Sequence, residues 1–399
     1  MRAFLFLGST GRWPVVRGGS PRICFSNKSR MSNCIRRAAE CHRPAACAPQ
    51  IRGRRAVWFT IACALAAGSN FAFSQDVHVD LALPTANNAL FRDGGGPDFY
   101  QYIERDYQGE KSTPWEGGRY GFVRDPKEAG GGIVYTRFHE GIDIKPLERD
   151  ANGEPLDEIH AIADGKVVHV NPVASYSNYG RYVVIEHRFD GCNYYSLYGH
   201  LSAIAAKVGQ RVVKGEKIAV MGWTGVGINR ERAHVHLELN LLLSHKFESW
   251  HDAVHPNDPN HNGIYNGINL CGLDIARLYL ALRNNPGLTI PEFMRDEEAF
   301  YKVALARSGH FELPKNYPWM ITRTPDAQTH SWEVSFTRSG LPLQIQASAR
   351  QVRGPELTWV KKTSANASDL TINRVTGRGG RGQLTLEGVT AMRLLTWPD

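Results

Sequence analysis

The chain has 399 residues, 42% hydrophobic and 22% charged, which is the composition of a globular protein and excludes a disordered or fibrous one. Its formal charge of +8 suggests an anionic partner. Residues 1–74, however, hold twelve Lys/Arg against one Asp/Glu, which leaves the rest of the chain at −3 and removes the argument for nucleic acid.

The first 74 residues read as a leader. "RGRR" (52–55) is a positive start, and "AVWFTIACALAAG" (56–68) is an apolar run too short to span a bilayer comfortably. "AFS" (72–74) then puts Ala72 and Ser74 at the −3 and −1 positions of a cleavage site. We expect an export signal cut near 74/75, a periplasmic or extracellular mature chain, and no stable membrane span after removal. The fifty residues before "RGRR" lack hydrophobic periodicity and read as an over-extended start. "TIAC" (60–63) is a poor lipid-anchor signal, because Thr60 stands where a large aliphatic is wanted. Five of the seven cysteines lie in the leader; Cys192 and Cys271 remain and could pair in an oxidising compartment.

Residues 75–114, rich in Asn, Gly and Pro, read as an extended lead-in. From 115 to 245 the chain is strand-like. "GKVVHV" (165–170), "GRYVVIEHRF" (180–189), "YYSLYGHLS" (194–202), "EKIAVMG" (216–222) and "AHVHLELNLLL" (233–243) are β-branched or alternating runs between Gly, Asn and Asp. The segment 245–269 reads as loop. Residues 272–285 and 291–307 carry helical patterns. Beyond 308, "SWEVSFTRSGLPLQIQA" (331–347) and "GQLTLEGVTAMRLLTW" (382–397) read as strands, with "TGRGGRG" (376–382) as a hairpin tip. The expectation is a mainly β protein: an antiparallel β-sheet or sandwich core, a short helical segment and a small C-terminal β-rich unit. The divisions fall at 1–74, 75–114, 115–269, 270–307 and 308–399.

A catalytic zinc site takes three protein ligands and keeps one position open. His139 and Asp143 of "RFHEGIDIKP" (137–146) offer two. The start resembles the helical motif H-E-x-x-H, but the last position is Asp, Gly141 lies inside and Pro146 follows, so a strand and turn is expected, with Glu140 pointing elsewhere. In "AHVHLEL" (233–239), residues two apart share a face, so His234, His236 and Glu238 line one side and Val235, Leu237 and Leu239 the other. One imidazole there can hold metal while its neighbour meets substrate or water, and Glu238 can support a histidine. His200 in "YGHLS" (198–202) is a further candidate. Tyr135 could reach a transition-state oxygen. His245, His251, His255 and His261 read as a solvated loop, and His160, His169 and His187 as structural or surface.

In order, "HEGID", "YGHLS", a "VGQ…VKGE" hairpin and "HVHLEL" resemble the lysostaphin-like (LytM-type) zinc endopeptidases over about residues 115–245. The resemblance implies one Zn²⁺ per chain, held by His139, Asp143 and His236, with His200 and His234 as the catalytic histidines that do not bind it. It also implies a peptidoglycan peptide as substrate, in stems or cross-bridges. Trp223 replaces a small residue and Ala233 a proline of the usual pattern, departures that bear on substrate preference. Two other functions compete: a catalytically silent cell-wall-binding regulator of another hydrolase, and a zinc peptidase acting on proteins or peptides.

Overall fold

The run "VHLELNLL" folds as the strand Val235–Leu242, and the rest of the core is built around it. The computed structural model describes residues 78–398, so the leader and its cleavage point lie outside the described residues. Val235, Leu237, Leu239 and Leu241 are fully buried in the main apolar core. His236, Glu238 and Asn240 take the opposite face, as alternation requires.

Antiparallel neighbours flank this strand on both edges. Cys192–Gly199 runs along one edge, with Gly199 opposite His236. On the other edge Ile142–Ile144 pairs with the first half and Leu270–Leu273 with the second, placing Asp143 directly opposite His236. Tyr182–Phe189, Gly165–Asn171 and Arg211–Val212 complete a seven-stranded sheet. The protein is thus mainly antiparallel β, as the alternating runs predict. A three-stranded sheet (Glu158–His160, Ala203–Ile204, Lys217–Val220) adds Ile159 and Ile218 to the same core. A five-stranded sheet follows towards the C-terminus, with Tyr301–Ala306 between Ser331–Phe336 and Glu356–Val360. One apolar cluster continues through Leu239, Leu273, Leu278, Tyr301 and Val334.

Several local expectations are corrected. Residues 270–273 are taken by the sheet, so the first helix is Ile275–Asn284, with Asp274 accepting the Arg277 N–H as its cap. The second helical pattern ends early. Ile290–Arg295 is a helix with a Thr289/Glu292 capping box, but Tyr301–Ala306 is a strand because partners on both sides take its backbone groups. The expected loop 245–269 contains the helix Phe247–Val254. In the last segment only Arg381–Leu384 is a strand; Thr385 then caps the helix Leu386–Leu394. The "VGQ…VKGE" segment is no ladder: Arg211–Val212 joins the large sheet and Lys217–Val220 the small one. Cys192 and Cys271 are not joined to each other. Their strands flank Val235–Leu242, so they stand at least about 9.5 Å apart, beyond disulfide reach.

Candidate metal centre

His139 is the last residue of the strand Gly132–His139, and Asp143 sits in the middle of Ile142–Ile144. Gly141 between them is required: a Cβ there would meet the Leu237 carbonyl oxygen at 2.4 Å and Glu238 Cγ at 2.8 Å. "HEGID" is therefore two strand ends joined by a bend pressed onto the strand of His236, and not a helix. His200 follows Gly199 in the left-handed region (φ 63°), which costs a non-glycine residue about 1–2 kcal/mol. Its N–H donates to the Tyr179 carbonyl at 2.7 Å, fixing the turn that presents the ring.

Each candidate ligand has its outward-facing atom occupied. His139 Nδ1–H donates to the Arg119 carbonyl at 2.8 Å. Arg124 Nη2 donates to Asp143 Oδ2 at 2.6 Å, and its Nε to the Gly117 carbonyl. His236 Nε2–H donates to Glu238 Oε1 at 2.7 Å. What remains faces inward. His139 Nε2 lies 3.1 Å from Asp143 Oδ1 and 3.1 Å from His236 Nδ1, and His236 Nδ1 lies 2.9 Å from Asp143 Oδ1. With the outer protons placed as above, three lone-pair atoms converge with no hydrogen between them. Such a set repels itself unless a positive charge sits inside it. A tetrahedral zinc with bonds of about 2.0–2.1 Å spaces its ligand atoms about 3.3 Å apart, within a few tenths of the spacing here. The residues present therefore fit a divalent cation with two imidazoles and one carboxylate, and these three form the metal-capable cluster of the described residues.

The two other histidines are equally fixed. His234 Nδ1–H donates to the Arg232 carbonyl at 2.7 Å, and its Nε2 lies 3.3 Å from Asp143 Oδ1. His200 Nδ1–H donates to the Thr224 carbonyl at 2.8 Å. These carbonyls can only accept, so the tautomers follow from the partners. The His200 ring lies 4.7 Å from that of His234 and 5.8 Å from that of His236. Gly225 makes room, since a Cβ there would approach His200 Nδ1 to 3.0 Å.

The electrostatics match this reading. All five side chains are at most 7% exposed. Burial, then the Arg124 charge, holds His139 down at about 4. Burial pulls His236 down too, but its hydrogen bonds to Asp143 and Glu238 outweigh that and raise it to about 10, so without a metal a proton takes the inward position that a cation would replace. Burial would raise Asp143, yet His139, His234 and Arg124 hold it well below the usual carboxylate range. Burial, with His234 and His236 adding to it, pushes His200 well below 6.5. Glu140 is raised to about 7 by burial and by Glu238; it accepts from Tyr179 Oη.

The structure thus brings together His139, Asp143, His200, His234 and His236. Tyr135 is not in this group: it stands four residues, about 13 Å along the strand, from His139, and its ring packs under the Arg105 guanidinium. His251 and His255 lie at a helix end, with rings 5.0 Å apart, and not in a solvated loop. His187 is buried in the core, bonded to Ser196 and the Asp164 carbonyl. Sequence reasoning missed Arg124. It lies 19 residues before Asp143 in a hairpin arm, and no spacing rule connects the two.

An antiparallel β-sheet thus carries a His–Asp–His cluster that could hold a metal ion, with two further histidines beside it. Residues 137–247 match the family model of Peptidase family M23. A protein of Haemophilus influenzae described as an uncharacterized metalloprotease is 37% identical over 105 residues, 26% of this chain. The match spans 19% of that protein's length. Among solved structures, the catalytic domain of lysostaphin from Staphylococcus simulans is 26% identical, covering 30% of this chain and 75% of that one, with a TM-score of 0.22. A zinc-containing peptidase from Vibrio cholerae is 26% identical, covering 35% and 43%, with a TM-score of 0.20.

Proposed function

We propose that the chain is an exported zinc endopeptidase that hydrolyses peptide bonds of peptidoglycan, in stems or cross-bridges. The observation that carries the enzymatic part is the convergence of His139 Nε2, Asp143 Oδ1 and His236 Nδ1, each with its other polar atom bound elsewhere. Match of residues 137–247 to a peptidase family supports the reaction class. The resemblance of "HEGID", "YGHLS" and "HVHLEL" to the LytM-type endopeptidases, together with the leader's pattern, supports the substrate and the compartment.

Bound by these three residues, a divalent cation supplies Lewis acidity towards water and a carbonyl oxygen. The chain's own groups do the proton work. In their neutral form His234 and His200 both present a bare Nε2, because main-chain carbonyls hold their Nδ1 protons. One accepts the proton of the attacking water as the oxygen–carbon bond forms. As the carbon–nitrogen bond breaks, a protonated Nε2 returns a proton to the leaving amine. Transfer of this kind is worth about 10²–10⁴-fold. Arg124 fixes Asp143 through the oxygen that faces away from the cluster.

The test is mass spectrometry of peptidoglycan incubated with the zinc-loaded chain and with His236→Ala. New amine termini with the wild type alone are expected. Their absence with a protein that binds one zinc overturns the substrate, and a protein that binds no zinc overturns the enzyme.

A further inference from the structure

Trp223 is the residue at which this chain departs from the small residue of the resembled motif, and the chemistry above leaves it unused. Its flanking backbone serves both catalytic histidines. The Gly222 carbonyl accepts the His234 N–H at 3.2 Å, and the Thr224 carbonyl accepts His200 Nδ1–H at 2.8 Å. The side chain itself is 39% exposed. Its orientation is set, since the indole N–H donates to Glu154 Oε2 at 2.8 Å, and Glu154 Oε1 faces Arg230 at 3.6 Å. Arg149 clamps the two loops by donating to the carbonyls of Gly153, Arg230 and Glu231. The result is an indole held by its polar edge, with its remaining exposed surface apolar, on the segment whose flanking carbonyls hold His234 and His200.

We infer that Trp223 is a specificity residue that stacks against a pyranose ring of the glycan strand, an inference that rests on the peptidoglycan reading above. The surroundings decide between a sugar and an apolar side chain. Glu154 and Arg230 border the indole and are themselves 41% and 49% exposed. An apolar side chain seated there would strip water from both charges and return nothing. A sugar offers its C–H face to the ring and its hydroxyl edge to the carboxylate and guanidinium, which keeps both satisfied.

The experiment is calorimetric titration of the zinc-loaded chain with peptide-free glycan strands of alternating N-acetylglucosamine and N-acetylmuramic acid, repeated with chelator. The wild type should bind in both conditions. Trp223→Phe should stay within about threefold and Trp223→Ala should lose about tenfold, the scale of one aromatic face. In parallel, the Trp223 indole N–H resonance, assigned by its loss in Trp223→Phe, should shift on glycan addition. That readout holds even if Trp223→Ala fails to fold. No binding by the wild type, equal binding by a folded Trp223→Ala, or an unmoved indole resonance overturns the inference, as does a resonance that moves with free stem peptides and not with glycan. If amine termini are still released from peptidoglycan while glycan strands do not bind, the proposed function stands and this inference falls. If glycan binds at Trp223 and nothing is cleaved, the reverse holds.

Discussion

Glu238 is the side chain whose removal tests the metal centre most sharply. It is 0% exposed, accepts His236 Nε2–H at 2.7 Å, and takes the Asn240 Nδ2–H on its second oxygen at 2.9 Å. It therefore holds the proton on Nε2 and leaves the Nδ1 lone pair facing the cluster, and its charge strengthens that lone pair. Two substitutions separate these effects. Glu238→Gln keeps an acceptor for His236 but loses the charge, and Asn240 can turn its amide to meet the new NH₂. Glu238→Ala loses charge and acceptor together and strands two buried donors, costing about 1–3 kcal/mol of stability each. Outer partners of metal-bound histidines are typically worth about 10–100-fold in affinity, or about 1.4–2.7 kcal/mol. We expect Glu238→Gln near the low end and Glu238→Ala near the high end, read by chelator competition for zinc on folded protein. Nitrogen-15 spectra of the zinc-loaded wild type should place the His236 proton on Nε2. A folded Glu238→Ala that holds zinc as tightly as the wild type would refute the reasoning.

His139→Ala should lose zinc and activity together, whereas His234→Ala should keep near-normal zinc and lose turnover; metal analysis beside a peptidoglycan-release assay reads both, and full zinc in the first variant sinks the ligand assignment. Gly141→Ala should destabilise the fold by about 1–3 kcal/mol and weaken zinc binding, because its Cβ meets main chain at 2.4 Å and cannot be accommodated by a side-chain rotation; an unshifted urea midpoint contradicts this. His187, 1% exposed, is held by burial at about 4 against an ordinary 6.5, so the unfolded chain binds the extra proton. Its contribution is present in full above pH 6.5 and is lost as pH falls through 6.5 towards 4, up to about 3 kcal/mol. Urea unfolding of wild type and His187→Gln at pH 8, 6 and 4.5 checks this, and a wild-type advantage that does not shrink with acid refutes it.

The large sheet was legible because it is built from alternating runs. "HVHLEL" states its own two faces, and a β-strand leaves no freedom in which side chain goes where. The five residues that the structure brings together were legible for the same reason, since each stands at a strand end or on the strand face opposite the apolar core. The failures share a cause as well. "YKVALA" has apolar residues that suit a helix or a doubly buried strand, and only the neighbours on both edges decide for the strand. "LEGVTAMRL" is a helix because Thr385 caps it by accepting the Gly388 N–H, a three-residue signal hidden in a β-rich stretch. Arg124 was invisible because its role depends on how a hairpin folds back onto Asp143, and no local pattern encodes that.

The tautomers carry a further consequence. Of the four histidines in the cluster, three are held by main-chain carbonyls, those of Arg119, Thr224 and Arg232, and one by a side chain, Glu238. A carbonyl cannot be mutated away at its own position, so the orientation of His139, His200 and His234 belongs to the backbone path and survives substitution of nearby side chains. His236 alone depends on a replaceable group. Its position on the central strand, opposite both Asp143 and Gly199, is rigid, yet its chemistry rests on one carboxylate two residues away. Substitutions that damage the centre without touching a ligand should therefore concentrate at Glu238, at Arg124 on the Asp143 oxygen, at Gly225 beside the Thr224 carbonyl, and at Gly141 in the bend between His139 and Asp143.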